Sequence, residues 1–438
     1  MSAHRGAQGP VVAKSRKFWT GVRAGSVAAR CVIALQSLGN AVLCALRKCL
    51  WPRTRPASAA SICVFRPAAL GDLVVAIPAI YAIRRAYPSA KITLVTWPEE
   101  LGKAESFKLL DGADWIDEIL VYHRGELGGL RGKLPMIRDL RRRRFDIWFE
   151  IPPAHWSLSK LLVTMLAARI AGAKWAYGWR SSSIGAFAQA QSEWLDLPTQ
   201  VERLLRIVAE AGIPCDFSPQ WPLPATRTHR NFVADLIDEL GLTSRRLVAL
   251  APCAGYPANL WPRDRFVSVG RALVADGRSV AVLGGAADSA VCESVANEIG
   301  AGAASFAGRL SLVETCVLLE KCRLLVALDS GPQHLAAAMG TPCISLFSCR
   351  DVRGEWRPWG ESSFVIQKWV DCHTCRRREC PFDNRCMKLI NVDEVIELAG
   401  KVLRSRNGHA STGISPGFPR SALPMLRVSS ARADSTPA

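Results

Sequence analysis

The first 60 residues contain no Asp or Glu, although they hold ten Lys and Arg residues. Residues 401–438 hold six Lys or Arg and one acidic residue, so the two ends carry most of the net charge of +18. A nucleic-acid-binding protein more often places its basic charge on a folded surface. Charge concentrated in the chain ends instead favours attraction to an anionic membrane surface.

Long apolar runs are also lacking near the N-terminus. Segment 31–46, CVIALQSLGNAVLCAL, is uncharged but has only 16 residues, fewer than the roughly 20 that a spanning helix needs. At helical spacing one side is apolar, formed by Val32, Leu35, Val42, Leu46 and Leu50. The other side holds Arg30, Ser37, Asn40 and Arg47. The segment fits an amphipathic helix on a membrane surface, a signal anchor, or a helix packed on a domain. The absence of a convincing cleavage site argues against secretion.

No G-x-G-x-x-G motif with an acidic residue about 20 positions later follows an early strand, which argues against an NAD-dependent enzyme. The 15 cysteines are an odd number and mostly lie in apolar segments. This usage indicates a reducing compartment rather than a disulfide framework.

The apolar pattern alternates between strands and helices and predicts two α/β domains with parallel sheets. We expect a basic extension over 1–60, an N-terminal domain over 61–230 and a C-terminal domain over 231–404. Residues 1–22 and 405–438 are predicted to be disordered. Two such domains facing each other would leave a cleft suited to two substrates.

The segment RLLVALDSGPQHLAAAMGTPCISLF, residues 323–347, predicts a strand, a turn, a helix and a second strand. The helix would begin at the carboxyl edge of the sheet, where its free N–H groups attract phosphate and Ser330 can cap it. The pattern also fits a βαβ unit that binds no ligand.

A similar turn follows the first strand, with the sequence RPAALGD from Arg66 to Asp72. Gly71 would allow close backbone approach, and Asp72 would lie at the start of a helix over 73–87. Asp72 is either a stabilising acid at a helix N-terminus or a general base beside a substrate hydroxyl. The loop 252–260 carries the small residues Ala254 and Gly255, which a ligand could approach.

The turn RPAALGD and the segment DSGPQHLAAAMGTP, residues 329–342, together resemble the two signatures of glycosyltransferase family 9, the heptosyltransferases. The resemblance covers about residues 61–400. It implies the GT-B fold, with two Rossmann-like domains facing across a cleft. It also implies transfer of heptose from ADP-heptose to the lipopolysaccharide inner core, with inversion and without a catalytic metal or cofactor.

On this resemblance Asp72 is the general base, with Arg66 and Gly71 on the acceptor side. The donor would bind at Ala254, Gly255, Asn259, Asp329, Ser330, Gly331 and His334. The family commonly has a Lys where this chain has Asn259, and Arg263 or Arg265 could supply the missing charge. The lipid-linked saccharide acceptor would place the protein in the cytoplasm, at the inner-membrane surface. The alternative is a catalytically weak relative that holds saccharide or lipid as a scaffold.

Four thiols lie within 15 residues, at Cys372, Cys375, Cys380 and Cys386. This spacing suits a structural Zn²⁺ or Fe–S site, and it also fits reduced thiols that pack a loop. His373 is a weaker ligand candidate. The neighbouring run Arg376–Arg378 is expected to lower the thiol pKa values.

Overall fold

The structure is a computed structural model that describes residues 27–97, 106–123, 129–154, 156–181, 198–215, 218–352 and 354–407. The side chains of residues 27–33, 129–131 and 406–407 are outside this description. Of the two segments predicted to be disordered, 1–22 lies wholly outside the described residues, and 405–438 lies outside them from residue 408 onwards.

The N-terminal half forms a parallel sheet in the order β3-β2-β1-β4-β5. Its strands are β1 (Ser61–Phe65), β2 (Lys91–Thr96), β3 (Glu118–Val121), β4 (Ile147–Glu150) and β5 (Trp175–Tyr177). The helices of this half are α1 (Val27–Leu50), α2 (Leu70–Ala86), α3 (Gly129–Arg142), α4 (Leu158–Ile170) and α5 (Gln200–Glu210). Alternate residues of β1 and β4 face opposite layers of helices, which is why residues 62–65 and 147–149 are all apolar.

The C-terminal half forms a second parallel sheet in the order β11-β10-β9-β6-β7-β8. Its strands are β6 (Leu247–Ala251), β7 (Ser279–Val282), β8 (Ala303–Ser305), β9 (Leu325–Leu328), β10 (Cys343–Phe347) and β11 (Ser363–Gln367). The helices are α6 (Arg227–Glu239), α7 (Arg263–Ala275), α8 (Ser289–Ile299), α9 (Leu312–Lys321), α10 (Gly331–Ala338), α11 (Arg385–Lys388) and α12 (Val392–Asn407). The prediction of two parallel α/β units is confirmed.

The strand orders place a switch point in each sheet, between β1 and β4 in the first and between β6 and β9 in the second. Open α/β sheets bind ligands at the carboxyl ends of the strands that flank such a point. The turns that follow β1, β6 and β9 are those singled out in the sequence. Topology therefore brings the candidate residues to two sheet edges.

Two element boundaries differ from the predictions. Helix α6 begins at Arg227, four residues before the predicted start of the C-terminal domain at residue 231, because Thr226 caps it and His229 completes a capping box. Helix α12 continues to Asn407, three residues beyond the predicted end of the C-terminal domain at residue 404, so residues 405–407 are helical and not disordered as predicted.

Helix α1 packs on the N-terminal half through Leu43, which is 1 % exposed, and the following Trp51 is 4 % exposed. Of the three alternatives for this segment, packing on a domain describes its contacts. In the described part of the chain, no helix is long and apolar enough to cross a membrane.

Candidate functional site

The turn after β1 and the turn after β9 lie in contact, because α2 packs against α10. A Cβ atom on Gly331 would lie 2.7 Å from Leu70 Cδ2, and one on Gly71 would lie 3.0 Å from His334 Cδ2. Both glycines are thus required by close packing between the two halves. The approach predicted for Gly71 is made by a side chain of the other half.

Arg66 holds Asp72 in place at the start of α2. Its guanidinium is fully buried and donates to Asp72 Oδ1 at 2.9 Å and to the Asp72 carbonyl oxygen at 2.7 Å. A further bond of 3.1 Å reaches the carbonyl oxygen of Ile151, just after β4. The Asp72 side chain is 14 % exposed. Arg66 lies on the predicted acceptor side, but complete burial limits it to positioning Asp72.

His334 is 4 % exposed and its ring packs edge-on against Trp356. Burial lowers the pKa of His334 to about 4. The imidazole is therefore neutral near neutral pH, and its Nε2 lies 3.4 Å from Gln333 Nε2. A neutral, buried ring can orient neighbouring groups but does not supply a positive charge to a phosphate.

Asp329 follows β9 and accepts a 2.8 Å hydrogen bond from Gln333 Nε2. Burial raises its pKa, and the nearby Asp351 carboxylate raises it further. Ser330 does not cap α10 as predicted, because its hydroxyl donates back to the carbonyl oxygen of Leu328 at 3.3 Å. Asp329 therefore organises this turn through its hydrogen bond with Gln333.

Asn259 joins the ends of three strand connections. Its Nδ2 donates to the carbonyl oxygen of Asp329 at 3.3 Å, and its Oδ1 accepts from the Ser348 hydroxyl at 2.5 Å. The side chain is 1 % exposed. It braces the turns after β9 and β10 and cannot reach a ligand directly. In the same loop, Ala254 is half-buried and Gly255 is exposed, so their backbone is accessible.

The arginines expected to replace the missing Lys face elsewhere. Arg263 donates to Ser294 and pairs with Glu298 on α8, and Arg265 donates to the carbonyl oxygen of Ile390. Arg350, three residues after β10, lies instead beside the loop 252–260. Its guanidinium lies 4.2 Å from the centre of the ring of Tyr256, the residue that follows Gly255.

A buried ionic cluster lies next to this turn, and the sequence analysis missed it. Arg376 donates to Asp351 at 2.9 Å and to Glu355 at 2.8 Å, while Asp351 also pairs with Arg350 at 2.6 Å. Burial raises the pKa of Glu355, and Arg376 opposes that shift. Arg350 and Asp351 lie just after β10, and polar groups also follow β1 and β9. Their position at the end of a strand is the signal that could have identified them.

Arg203 of α5 faces the same region from the N-terminal half. Its Nε donates to Gln200 and one terminal nitrogen donates to the carbonyl oxygen of Pro152. The other terminal nitrogen is buried without a hydrogen-bond partner among the described residues. Burial and the nearby Arg66 lower the pKa of Arg203 to about 9, against the attraction of Glu355 and Asp72. No pattern in the sequence marks this residue, whose neighbours in the chain are Glu202 and Leu204.

A structural metal at the four predicted thiols stays a prediction. Among the described residues, which include all four, no group of three or more Cys, His, Asp or Glu side chains could hold a metal ion. Cys386 instead pairs with Cys349, whose hydrogen bonding lowers the pKa of Cys386 to about 6. Burial raises the pKa of Cys375, against the expected lowering by the arginine run. The ring of His373 packs on Trp369 at 4.0 Å.

Residues 134–385, more than half of the chain, match glycosyltransferase family 9 (heptosyltransferase). The chain belongs to this family. Lipopolysaccharide heptosyltransferase 3 of Escherichia coli K12 is 26 % identical over 341 residues, covering 76 % of this chain and 95 % of that protein. Lipopolysaccharide heptosyltransferase 2 of the same organism is 25 % identical over 308 residues, covering 65 % and 82 %. The protein is therefore a glycosyltransferase of the heptosyltransferase type.

Solved structures show the same fold. The family 9 glycosyltransferase of Veillonella parvula matches with a TM-score of 0.62 at 19 % identity, covering 79 % of this chain and 97 % of that one. The E. coli ADP-heptose heptosyltransferase II matches with a TM-score of 0.58 at 21 % identity, covering 79 % and 99 %. The GT-B fold expected from the resemblance is confirmed.

Proposed function

We propose that the protein transfers a heptose from ADP-heptose to a hydroxyl of the lipopolysaccharide core, or of another lipid-linked saccharide. The observation that carries the proposal is the contact between the two signature turns. It brings Asp72, held by Arg66, next to the start of α10. A general base and an anion-attracting helix end thus meet where the two sheet edges converge.

In the proposed reaction Asp72 accepts the proton of the acceptor hydroxyl. The acceptor oxygen then forms a bond to the anomeric carbon of the donor, while the bond from that carbon to the diphosphate oxygen breaks. The electron pair of that bond leaves with ADP. Attack from the face opposite the leaving group inverts the anomeric configuration. Arg66 contacts Oδ1 of Asp72, so Oδ2 is the oxygen to which we assign the proton.

The leaving diphosphate gains negative charge as its bond to the sugar breaks. Preorganised N–H groups stabilise such charge without reorganising during the reaction. We assign this role to the backbone of the Ala254–Gly255 loop and to the start of α10. Pro332 has no N–H, which leaves Gly331, Gln333 and His334 as the first donors of that helix. This assignment needs no catalytic metal.

We assign to Arg350 the positive charge that the family commonly obtains from a Lys at position 259. Asn259 is buried among backbone and hydroxyl partners. Arg350, in contrast, lies over Tyr256, beside the accessible backbone of the Ala254–Gly255 loop. Its pairing with Asp351 fixes the guanidinium in one orientation. A planar guanidinium is also a better bidentate partner for phosphate than an ammonium group.

The names of the relatives support the choice of substrates. Two of them are lipopolysaccharide heptosyltransferases, and one solved relative is named for ADP-heptose. A lipid-linked acceptor requires the enzyme to work at a membrane surface. We therefore place it at the cytoplasmic face of the inner membrane, as a peripheral protein, with a nucleotide-sugar and a lipid-linked saccharide as its partners.

A calorimetric comparison of ADP, UDP, GDP and CDP, followed by their sugars, tests this function. We expect selective binding of ADP and ADP-heptose. An Arg350→Gln variant should bind both more weakly, while Arg263→Gln should bind them as the wild type does. Preference for another nucleotide would overturn the assignment of the donor. Absence of binding to any nucleotide would favour the alternative of a saccharide- or lipid-binding scaffold.

A further inference from the structure

Helix α1 is attached to the N-terminal half through Leu43 and through the side chains of its polar side. Gln36 and Asn40 both donate to the carbonyl oxygen of Ser181, at 2.6 and 3.1 Å. Arg47 is 7 % exposed and donates to the carbonyl oxygen of Ala176 at 2.9 Å. An amphipathic helix on a globular protein normally turns its apolar side inwards. Here hydrogen bonds fix the opposite arrangement.

The apolar side of α1 consequently faces outwards. Its large aliphatic residues are 37–65 % exposed, and they are Leu35, Leu38, Val42, Leu46 and Leu50. Single exposed apolar residues are common on protein surfaces and need no explanation. A row of five along one side of a helix is a continuous surface, and such surfaces mark interaction sites.

Helix α4 extends this surface. Leu161, Met165 and Ala168 anchor α4 to the sheet, each no more than 2 % exposed. Its outer side is aliphatic again and 37–58 % exposed, formed by Leu158, Leu162, Val163, Leu166 and Ile170. Since α1 packs against α4, the two rows belong to one patch, which we call the α1–α4 face.

The charges around the α1–α4 face are predominantly positive. Neither helix contains an Asp or Glu, and Lys48, Lys160 and Arg169 are exposed on them. Helix α3, which packs against α4, adds three exposed arginines, Arg138, Arg141 and Arg142. Its one acidic residue, Asp139, accepts a 2.7 Å bond from the Tyr122 hydroxyl. The preceding residues 1–26 add five Lys or Arg and no acidic residue.

We propose that the α1–α4 face docks on a bilayer leaflet that contains anionic phospholipid, with both helices lying in the interface. The aliphatic rows would enter the acyl boundary and the surrounding cations would meet lipid phosphates. A second copy of the chain is disfavoured as the occupant, because it would bring like charges together. Neither helix is long and apolar enough to span the bilayer.

The same face lies close to the proposed acceptor side. Helix α4 starts shortly after Ile151 and Pro152, whose carbonyl oxygens accept bonds from Arg66 and Arg203. Docking would thus hold the Asp72 side of the site near the membrane, where a lipid-linked saccharide begins. This second part rests on the proposed function, whereas docking itself does not.

Flotation of the full chain with vesicles tests the docking. We expect binding to vesicles of phosphatidylethanolamine and phosphatidylglycerol, and weaker binding to pure phosphatidylcholine. A double variant, Leu38→Glu with Leu166→Glu, should lower the partition coefficient by about tenfold or more. These side chains are 61 % and 58 % exposed, so the fold should persist. Val291→Glu, at a 42 % exposed position on α8, is the matched control and should bind as the wild type does.

Two readouts separate docking from catalysis. The double variant should keep its affinity for ADP and its rate on a deacylated, soluble acceptor, while losing rate on an acceptor embedded in vesicles. Absence of wild-type binding, or equal binding by the double variant, would overturn the docking. So would a wild-type dimer that the double variant dissociates without any vesicle binding. Failure to bind ADP would instead contradict the proposed function and leave the docking result standing.

Discussion

Replacing Arg66 by Met tests how the structure prepares Asp72. Met has a similar length but no charge and no donors. The variant loses the bonds to Asp72 Oδ1 and to the carbonyl oxygens of Asp72 and Ile151, at 2.9, 2.7 and 3.1 Å. It leaves a carboxylate that is 14 % exposed without its guanidinium partner. The Ile151 oxygen, inside the core, also loses this donor.

Two magnitudes follow from this geometry. Removing one partner of a buried ion pair costs about 3–5 kcal/mol of stability, because the other charge stays buried. A displaced catalytic group lowers kcat by about a hundredfold. Donor affinity should hardly change, since we assign donor binding to the other half of the molecule. Arg66→Lys should recover only part of both losses, because an ammonium group cannot donate in the same fork.

Urea unfolding, turnover with ADP-heptose and calorimetry with ADP measure these effects separately. Arg84→Met is the control. Arg84 lies on α2, as Asp72 does, but it donates to Asp117 and to the carbonyl oxygen of Trp115, away from Asp72. It should lose stability but keep its kcat. A folded Arg66→Met protein with wild-type kcat would show that catalysis does not depend on Arg66 positioning Asp72, and would refute this part of the mechanism.

The remaining predictions concern two regions, the contact between the two halves and the surroundings of the loop 252–260. The pKa of His334 is lowered from 6.5 to about 4. The neutral buried ring therefore contributes fully to the free energy of unfolding above the pKa of the unfolded state, and this contribution is lost as the pH falls. Wild type should lose about 3 kcal/mol more than His334→Phe between about pH 7 and pH 4 in urea titrations. Gly331→Ala puts a Cβ 2.7 Å from Leu70 Cδ2 and should lower the melting temperature through about 1–3 kcal/mol of overpacking. Asn259→Ala leaves the Ser348 hydroxyl without its bond and should lower the free energy of unfolding by about 1–3 kcal/mol, while the folded protein binds ADP with little change in affinity. In contrast, Arg350→Gln should raise the KM for ADP-heptose about tenfold, the usual scale for a charge-assisted bond to phosphate.

The sequence predicted the fold well because its strands are buried on both sides and therefore read as short apolar runs. The unit around 323–347 forms the expected strand, helix and neighbouring parallel strand. The positions of Arg66, Asp72 and Asp329 at strand ends also followed from this pattern, since strand ends in a parallel sheet share an edge.

The contacts of individual side chains could not be predicted in this way. The apolar stripe of α1 was recognised, but the stripe does not reveal that Asn40 and Arg47 would find carbonyl partners on the domain. Arg203 approaches Asp72 only because α5 packs on α2. The thiol spacing predicts a tetrad, whereas Cys386 pairs with Cys349, which lies 37 residues away in the sequence. Each of these depends on residues distant in sequence.

Transfer of heptose from ADP-heptose, compared between the wild type and Asp72→Asn, tests the central claim most directly. The amide keeps the size of the side chain and can still accept from Arg66, so ADP binding and the melting temperature should change little. The account predicts that transfer falls at least about a hundredfold, as expected when a general base is removed. Transfer by a well-folded Asp72→Asn protein at the wild-type rate would contradict it.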